Sequence, residues 1–197
     1  MKMHSTGAQM TSTNRPSGDH ATVKAVNRAM RGAPAEADST DRIYDPALES
    51  CRLCPRKCGV NRNAGQKGAC GVSSDIYVAR AALHFWEEPC ISGKEGSGAV
   101  FFSGCTLKCV FCQNYELSHQ EVGKRVDLER LMEIFFELEG QGANNINLVT
   151  PDHYIPLIAK AMERSRVRGL KIPFVINCSG YETRELIHRL DGLADIY

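Results

Sequence analysis

Large apolar residues are sparse near the N-terminus and return with regular spacing further on. Residues 1–40 are rich in Ser, Thr, Gly, Ala and Pro. That composition cannot offset the entropy of ordering, so a disordered tail is predicted, with at most a weak helix from His20 to Met30. From Ala99 the pattern alternates. Ala99 to Ser103 reads as a buried strand, and Leu128, Leu131, Met132, Phe135 and Leu138 then recur at helical spacing until Gly140 and Gly142. Asn145 to Thr150 reads as a second strand. Tyr154, Leu157, Ile158, Ala161 and Met162 form a second helical stripe, with Pro156 in its first turn and Gly169 at its end. Ile172 to Asn177 is a third strand, and Thr183 can cap a helix carrying Leu186, Ile187 and Leu190. Asp195-Ile196-Tyr197 reads as the opening of a fourth strand. Such alternation predicts an α/β fold of parallel βα units, with ligands at the carboxyl ends of the strands.

Between the tail and these units lie a cysteine-rich stretch, Cys51 to Cys70, and a linking region through Cys90. The predicted organisation is therefore a tail over 1–40, a cysteine-rich metal-binding segment and linker over 41–95, and βα units over 96–197. His84, Phe85 and Trp86 read as packing between the last two parts. Gly93, Gly96 and Gly98 precede a strand rather than follow one, so they fail the context of a phosphate loop and read as a turn.

Composition narrows the function classes. An apolar fraction of 43% and a charged fraction of 24% are those of a soluble globular protein. A net charge of +1 supplies no bulk attraction to nucleic acid or to an anionic membrane. No run approaches the roughly 18 apolar residues of a membrane span, and the N-terminus lacks the apolar stretch of a secretory signal. Nine cysteines without such a signal point to a reducing compartment, where they bind metal rather than pair. The expected location is cytoplasmic.

The most specific chemistry is in Cys105-Thr-Leu-Lys-Cys109-Val-Phe-Cys112, directly after the first predicted βα strand. Iron–sulfur clusters normally use four cysteines, so three suggest a cluster with one iron left open, and an open metal position marks a chemical site. Zinc would want four ligands and a different gap than Cys105 to Cys109. Three cysteines beside Gly104, Gln113 and Asn114 are also poor core composition.

This motif, with Phe111 before its third cysteine, resembles the signature of the radical S-adenosylmethionine enzymes. Glu88 to Gly93, Phe101 to Cys105, Cys112 to Glu116, Asn147 to His153 and Asn177 to Glu182 are similar to the branch related to pyruvate formate-lyase activating proteins. The resemblance runs from about Tyr44 to Tyr197. It implies a [4Fe-4S] cluster on Cys105, Cys109 and Cys112, with S-adenosylmethionine chelating the fourth iron. It also implies reductive cleavage to a 5′-deoxyadenosyl radical that abstracts hydrogen, in the activating relatives from a glycine of a glycyl-radical enzyme. Reduced flavodoxin or ferredoxin would be the electron donor, and the substrate a protein or a small molecule. Phe111 would lie against adenine, Asp152 or the Thr150 carbonyl would receive the methionine amino group, and Asn177 and Ser179 are candidates for further cofactor contacts. His153 reads as a solvated loop histidine or a proton donor, and Cys178 as a small buried residue. The family's domain is a (β/α)6 barrel, of which this chain supplies about three units, so the resemblance implies a partial barrel shortened at its C-terminus.

Cys51, Cys54, Cys58 and Cys70 form a second group, suited to zinc or to an auxiliary cluster. Arg52, Arg56, Lys57, Arg62 and Lys67 surround it, either offsetting thiolate charge or forming a small basic face. Cys90 reads as a solitary cysteine. The rival to the enzyme is a non-catalytic zinc-binding interaction module, or an inactive fragment. The sequence names no catalytic residue beyond these ligands and argues against nucleic acid as a partner.

Overall fold

The structure is a computed structural model and describes residues 43–197. The predicted tail and its weak helix lie outside the described residues. The fold is mixed α/β around one sheet that does not close. Its strands are β1 (Ile76–His84), β2 (Ser97–Phe102), β3 (Lys124–Val126), β4 (Ile146–Val149) and β5 (Phe174–Asn177). Their spatial order is β3-β1-β2-β4-β5. β1 is antiparallel to both its neighbours, whereas β2, β4 and β5 run parallel. Val175 also bridges Ile196 in parallel, so the last residues begin a further pairing, as the pattern predicts.

Among the described residues, helices α1 (Pro89–Ser92), α2 (Tyr115–His119), α3 (Leu128–Gly140) and α4 (Ile155–Val167) lie between these strands, and α5 (Arg184–Ile187) follows β5. Asp127 starts α3 by accepting the Arg130 N–H at 2.7 Å. The helix ends where Gly142 turns left-handed (φ +87°) and the Ala143 N–H returns to the Leu138 carbonyl. Pro156 sits in the first turn of α4, where its missing N–H costs nothing.

The apolar stripes of α3 and α4 cover one face of the sheet. Leu131, Ile134, Phe135, Leu138, Leu157, Ile158 and Met162 are fully buried there with Ile146, Leu148 and Phe174. Phe135 meets Phe174 edge-on, with centroids 5.3 Å apart. Among the described residues no helix is long and apolar enough to cross a membrane.

β3, α1 and α2 have no counterpart in the sequence reading, and two further parts differ from it. The linking region contains β1, which hydrogen-bonds to β2. A register shift between Val78 and Arg80 interrupts its pairing, and such a bulge breaks the period-two alternation that marks a strand. Trp86 does not pack between segments: it is 84% exposed. Its neighbours behave otherwise, with His84 edge-on to Phe101 and the Phe85 ring lying over Gly96.

Phe135→Ala is expected to lower stability by about 3–5 kcal/mol in equilibrium urea unfolding. Val167→Ala, at a site 85% exposed, is expected to change it by less than about 0.5 kcal/mol. Equal effects would contradict the assignment of the core.

Candidate metal and cofactor site

The parallel strands deliver three loops to one end of the sheet. The first leaves β2 at Gly104, whose φ of +85° and close neighbours exclude a side chain. A Cβ there would lie 2.5 Å from Val72 Cγ1 and 3.0 Å from the Cys70 carbonyl. Cys105 is buried, while Cys109 and Cys112 are half-buried on the same loop. The turn between Cys105 and Cys109 puts Lys108 at φ +54°, a conformation that costs a non-glycine residue about 1–3 kcal/mol and tends to mark functional loops. Burial pushes the Cys105 thiol up, opposed by backbone N–H groups of Lys108 and Leu107 directed at its sulfur. Phe111 is 85% exposed.

The second loop leaves β4 through Thr150, a β-branched residue at φ +55°, whose N–H reaches the Asn177 carbonyl at 2.8 Å. It brings in Asp152 and His153, both buried. Asp152 Oδ1 accepts the Ser179 N–H at 3.2 Å, Oδ2 meets no N–H or hydroxyl of the protein, and the carboxyl's remaining hydrogen-bond partner is the Glu182 carboxyl. The third loop, after β5, supplies Cys178, Ser179 and Glu182. The Thr106 and Ser179 hydroxyls lie 3.1 Å apart, tying the cysteine loop to this one. Ser179 Oγ also donates to Glu182 at 3.3 Å.

Among the described residues, Asp152, Cys178 and Glu182 are the group of three candidate ligands whose atoms all lie within 4.8 Å of one another. Two carboxylates so close and so buried do not both ionise. Burial first, then the hydrogen bond to Glu182, pushes Asp152 up to about 8. Glu182 is held below the usual carboxylate range by its hydrogen bond with Asp152, although burial works against this. Near neutral pH the pair carries one shared proton.

His153 is buried rather than solvated, and burial pushes it down to about 3. Its Nε2 lies 2.8 Å from the Ser103 carbonyl, so Nε2 carries the hydrogen and donates, and burial keeps the ring neutral. The imidazole therefore braces the start of the cysteine loop and is no proton donor to solvent.

Of the residues expected at the cofactor, Asp152 and Ser179 meet each other beside Cys105. Asn177 ends β5 with its side chain exposed, and no hydrogen bond joins it to them. Cys178, expected as a small buried residue, is only half-buried and lies within reach of Asp152 and Glu182. Cys90 is exposed on α1, before β2. The cysteine loop follows that strand, so the two lie at opposite ends of it. Glu182 and Thr106 carried no assignable signal in the sequence: one is an acid in a loop and the other a hydroxyl inside the motif.

The second cysteine group folds as a knuckle against the first loop. Cys51, Cys54 and Cys70 are buried and Cys58 is exposed. Arg56 donates to the Thr106 carbonyl at 2.9 Å and to the Leu107 carbonyl at 3.4 Å. Arg62, expected among the basic residues around the group, is fully buried. A cleft of about 470 Å³ lies between the knuckle and α5, lined by Arg52, Lys57, Glu185 and Arg189 among others. Its lining residues Ser50, Arg52, Leu53 and Lys57 flank the knuckle cysteines, but none of the lining is itself a cysteine.

The sequence profile of the Radical SAM superfamily matches residues 99–197. Over 170 residues the chain is 29% identical to Uncharacterized protein MJ0674 of Methanocaldococcus jannaschii, an alignment covering 83% of this chain and 48% of that protein. The chain thus spans about half the length of the curated relative it matches. No solved structure matches it.

Asp152 sets a pH dependence. Because its folded pKa is raised from 3.8 to about 8, the folded chain holds a proton that the unfolded chain releases. The stability it contributes is full below the lower value and is lost as pH rises toward the higher one. In the metal-free chain, the urea midpoint of Asp152→Asn is expected to decline less between pH 5 and pH 8 than that of the wild type. Parallel declines would contradict the shared proton.

Proposed function

The chain belongs to the radical SAM superfamily, and on that premise we propose that Cys105, Cys109 and Cys112 hold a [4Fe-4S] cluster whose fourth iron is left for S-adenosylmethionine. One observation carries the reading. The buried Asp152 carboxyl, paired with Glu182, lies beside a loop of three thiols that has no fourth sulfur of its own. Soft sulfur donors suit iron–sulfur clusters, and two adjoining carboxyls favour a cationic partner, beside which both could ionise. The residues present therefore fit both groups that the family uses. When bound, the cluster supplies the electron that splits the sulfonium of S-adenosylmethionine.

The chain's own residues bind and orient. Asp152, backed by Glu182, offers an acceptor suited to the methionine ammonium, and the Ser179 N–H on Oδ1 fixes that carboxyl in place. The Thr106–Ser179 contact holds the cysteine loop against the β5 loop. Phe111 presents an exposed ring face suited to adenine, and Asn177 adds a polar group at the end of β5.

The substrate and electron donor follow from the resemblance alone. A glycine Cα–H of a partner protein is the hydrogen donor to test first, with reduced flavodoxin or ferredoxin as the reductant. A zinc module without catalysis would leave the buried Asp152–Glu182 pair and the three-thiol loop without a purpose.

In anaerobically reconstituted protein, Cys109→Ala is expected to lose about four irons per chain relative to wild type. Formation of 5′-deoxyadenosine after reduction is expected to fall by roughly 100-fold or more, beyond the 10–100-fold that losing a supporting hydrogen bond costs a metal site. Cys90→Ala is expected to match wild type in both. Wild-type iron in Cys109→Ala would contradict the assignment.

A further inference from the structure

Arg62 poses a problem of charge. Its guanidinium is fully buried, yet no carboxylate among the described residues pairs with it. Nε and Nη2 donate to the Ser73 carbonyl at 3.1 and 2.7 Å, and Nη1 donates to the His153 carbonyl at 2.7 Å. Its cation lies 5.9 Å from the centre of the Tyr154 ring. All of these partners are neutral. A buried cation without a counter-charge is strongly unfavourable, so an anion is expected nearby. The remaining contact of Nη1 is Cys51 Sγ at 3.9 Å.

Cys51 belongs to the knuckle, where other donors also converge on sulfur. The Ala69 N–H reaches Cys58 Sγ at 3.3 Å, and the Arg56 backbone N–H is directed at Cys54. A Cβ on Gly68 would lie 3.3 Å from Cys58 Sγ, so that glycine lets the backbone approach the sulfur. Two backbone hydrogen bonds hold the knuckle's shape, from the Cys51 N–H to the Val60 carbonyl and from the Gly59 N–H to the Cys51 carbonyl. N–H donors directed at sulfur stabilise thiolates and metal–thiolate centres.

We infer that Cys51, Cys54, Cys58 and Cys70 bind a thiophilic metal as an anionic four-thiolate centre, and that buried Arg62 is its counter-charge. Four thiolates around an oxidised four-iron cluster, or around one zinc ion once the sulfurs draw closer than they lie without metal, leave a net negative charge in either case, which answers the unpaired guanidinium. Arg62 is a positioning residue: through the His153 carbonyl it links this centre to the histidine that braces Ser103 and the three-cysteine loop. The proposed radical chemistry is not needed for this inference.

The test uses the full chain carrying Cys105→Ala, Cys109→Ala and Cys112→Ala, purified anaerobically with iron and zinc both supplied. Retention of about one zinc or about four irons per chain is expected, and the assay tells the two apart. Adding Cys54→Ser and Cys70→Ser is expected to abolish that retention. A metal-free triple variant overturns the inference, even if wild-type protein binds iron. Failure of the first site alone would instead show as equal metal in wild type and triple variant. In the triple-variant background, Arg62→Met is expected to lose metal to a chelator roughly tenfold more readily. Arg62→Lys, which keeps the charge but cannot reproduce the fork of hydrogen bonds, is expected to recover most of that loss. Equal losses in the two would reduce Arg62 to a packing role.

Discussion

Parallel pairing of β2, β4 and β5 governs what can meet at the end of this sheet. Phe101 stands opposite Val149, and Val149 opposite Asn177, so the three strands leave the sheet at one level. The Cys105 loop, the Asp152 turn and the Ser179 loop then converge without long connections. A slip of one residue in either pairing would turn every side chain to the other face. It would also separate Asp152 from Ser179. The buried stripes of α3 and α4 fix that register, because Ile146, Leu148 and Phe174 must face them.

On this frame the protein concentrates costly features at the same end. Lys108 and Thr150 hold left-handed backbone, as does Lys57 in the knuckle. Asp152, Glu182, His153 and Arg62 place ionisable groups away from water, each balanced differently. The carboxyl pair shares a proton, the histidine stays neutral, and the arginine faces sulfur. Such features persist in loops that must present groups rather than hide them. The two cysteine groups are also physically joined, since the Cys70 carbonyl lies against Gly104 and Arg56 grips the loop that follows it.

Much of this is legible in the chain. The stripes from Leu128 to Leu138 and from Tyr154 to Met162 fall on the observed α3 and α4, and the glycines after them mark their ends. The three-cysteine loop appears at the carboxyl end of a strand, where the alternation puts it. β1 escaped because its bulge at Val78–Arg80 hides the alternation. Arg62 escaped because a loop arginine is usually solvated, and its burial depends on Ser73 and on His153, which is distant in sequence. His153 escaped for the same reason. The meeting of Asp152 with Glu182 depends on pairing between β4 and β5, which local patterns do not encode.

The central claim is that one iron of a cluster on the three-cysteine loop lacks a protein ligand. Electron paramagnetic resonance of reduced, anaerobically reconstituted protein tests it most directly, with and without S-adenosylmethionine labelled with nitrogen-15 at its amino group. The account predicts a changed cluster signal on addition and a hyperfine coupling to the label. An unchanged signal with no coupling, from a cluster fully formed on Cys105, Cys109 and Cys112, would contradict it.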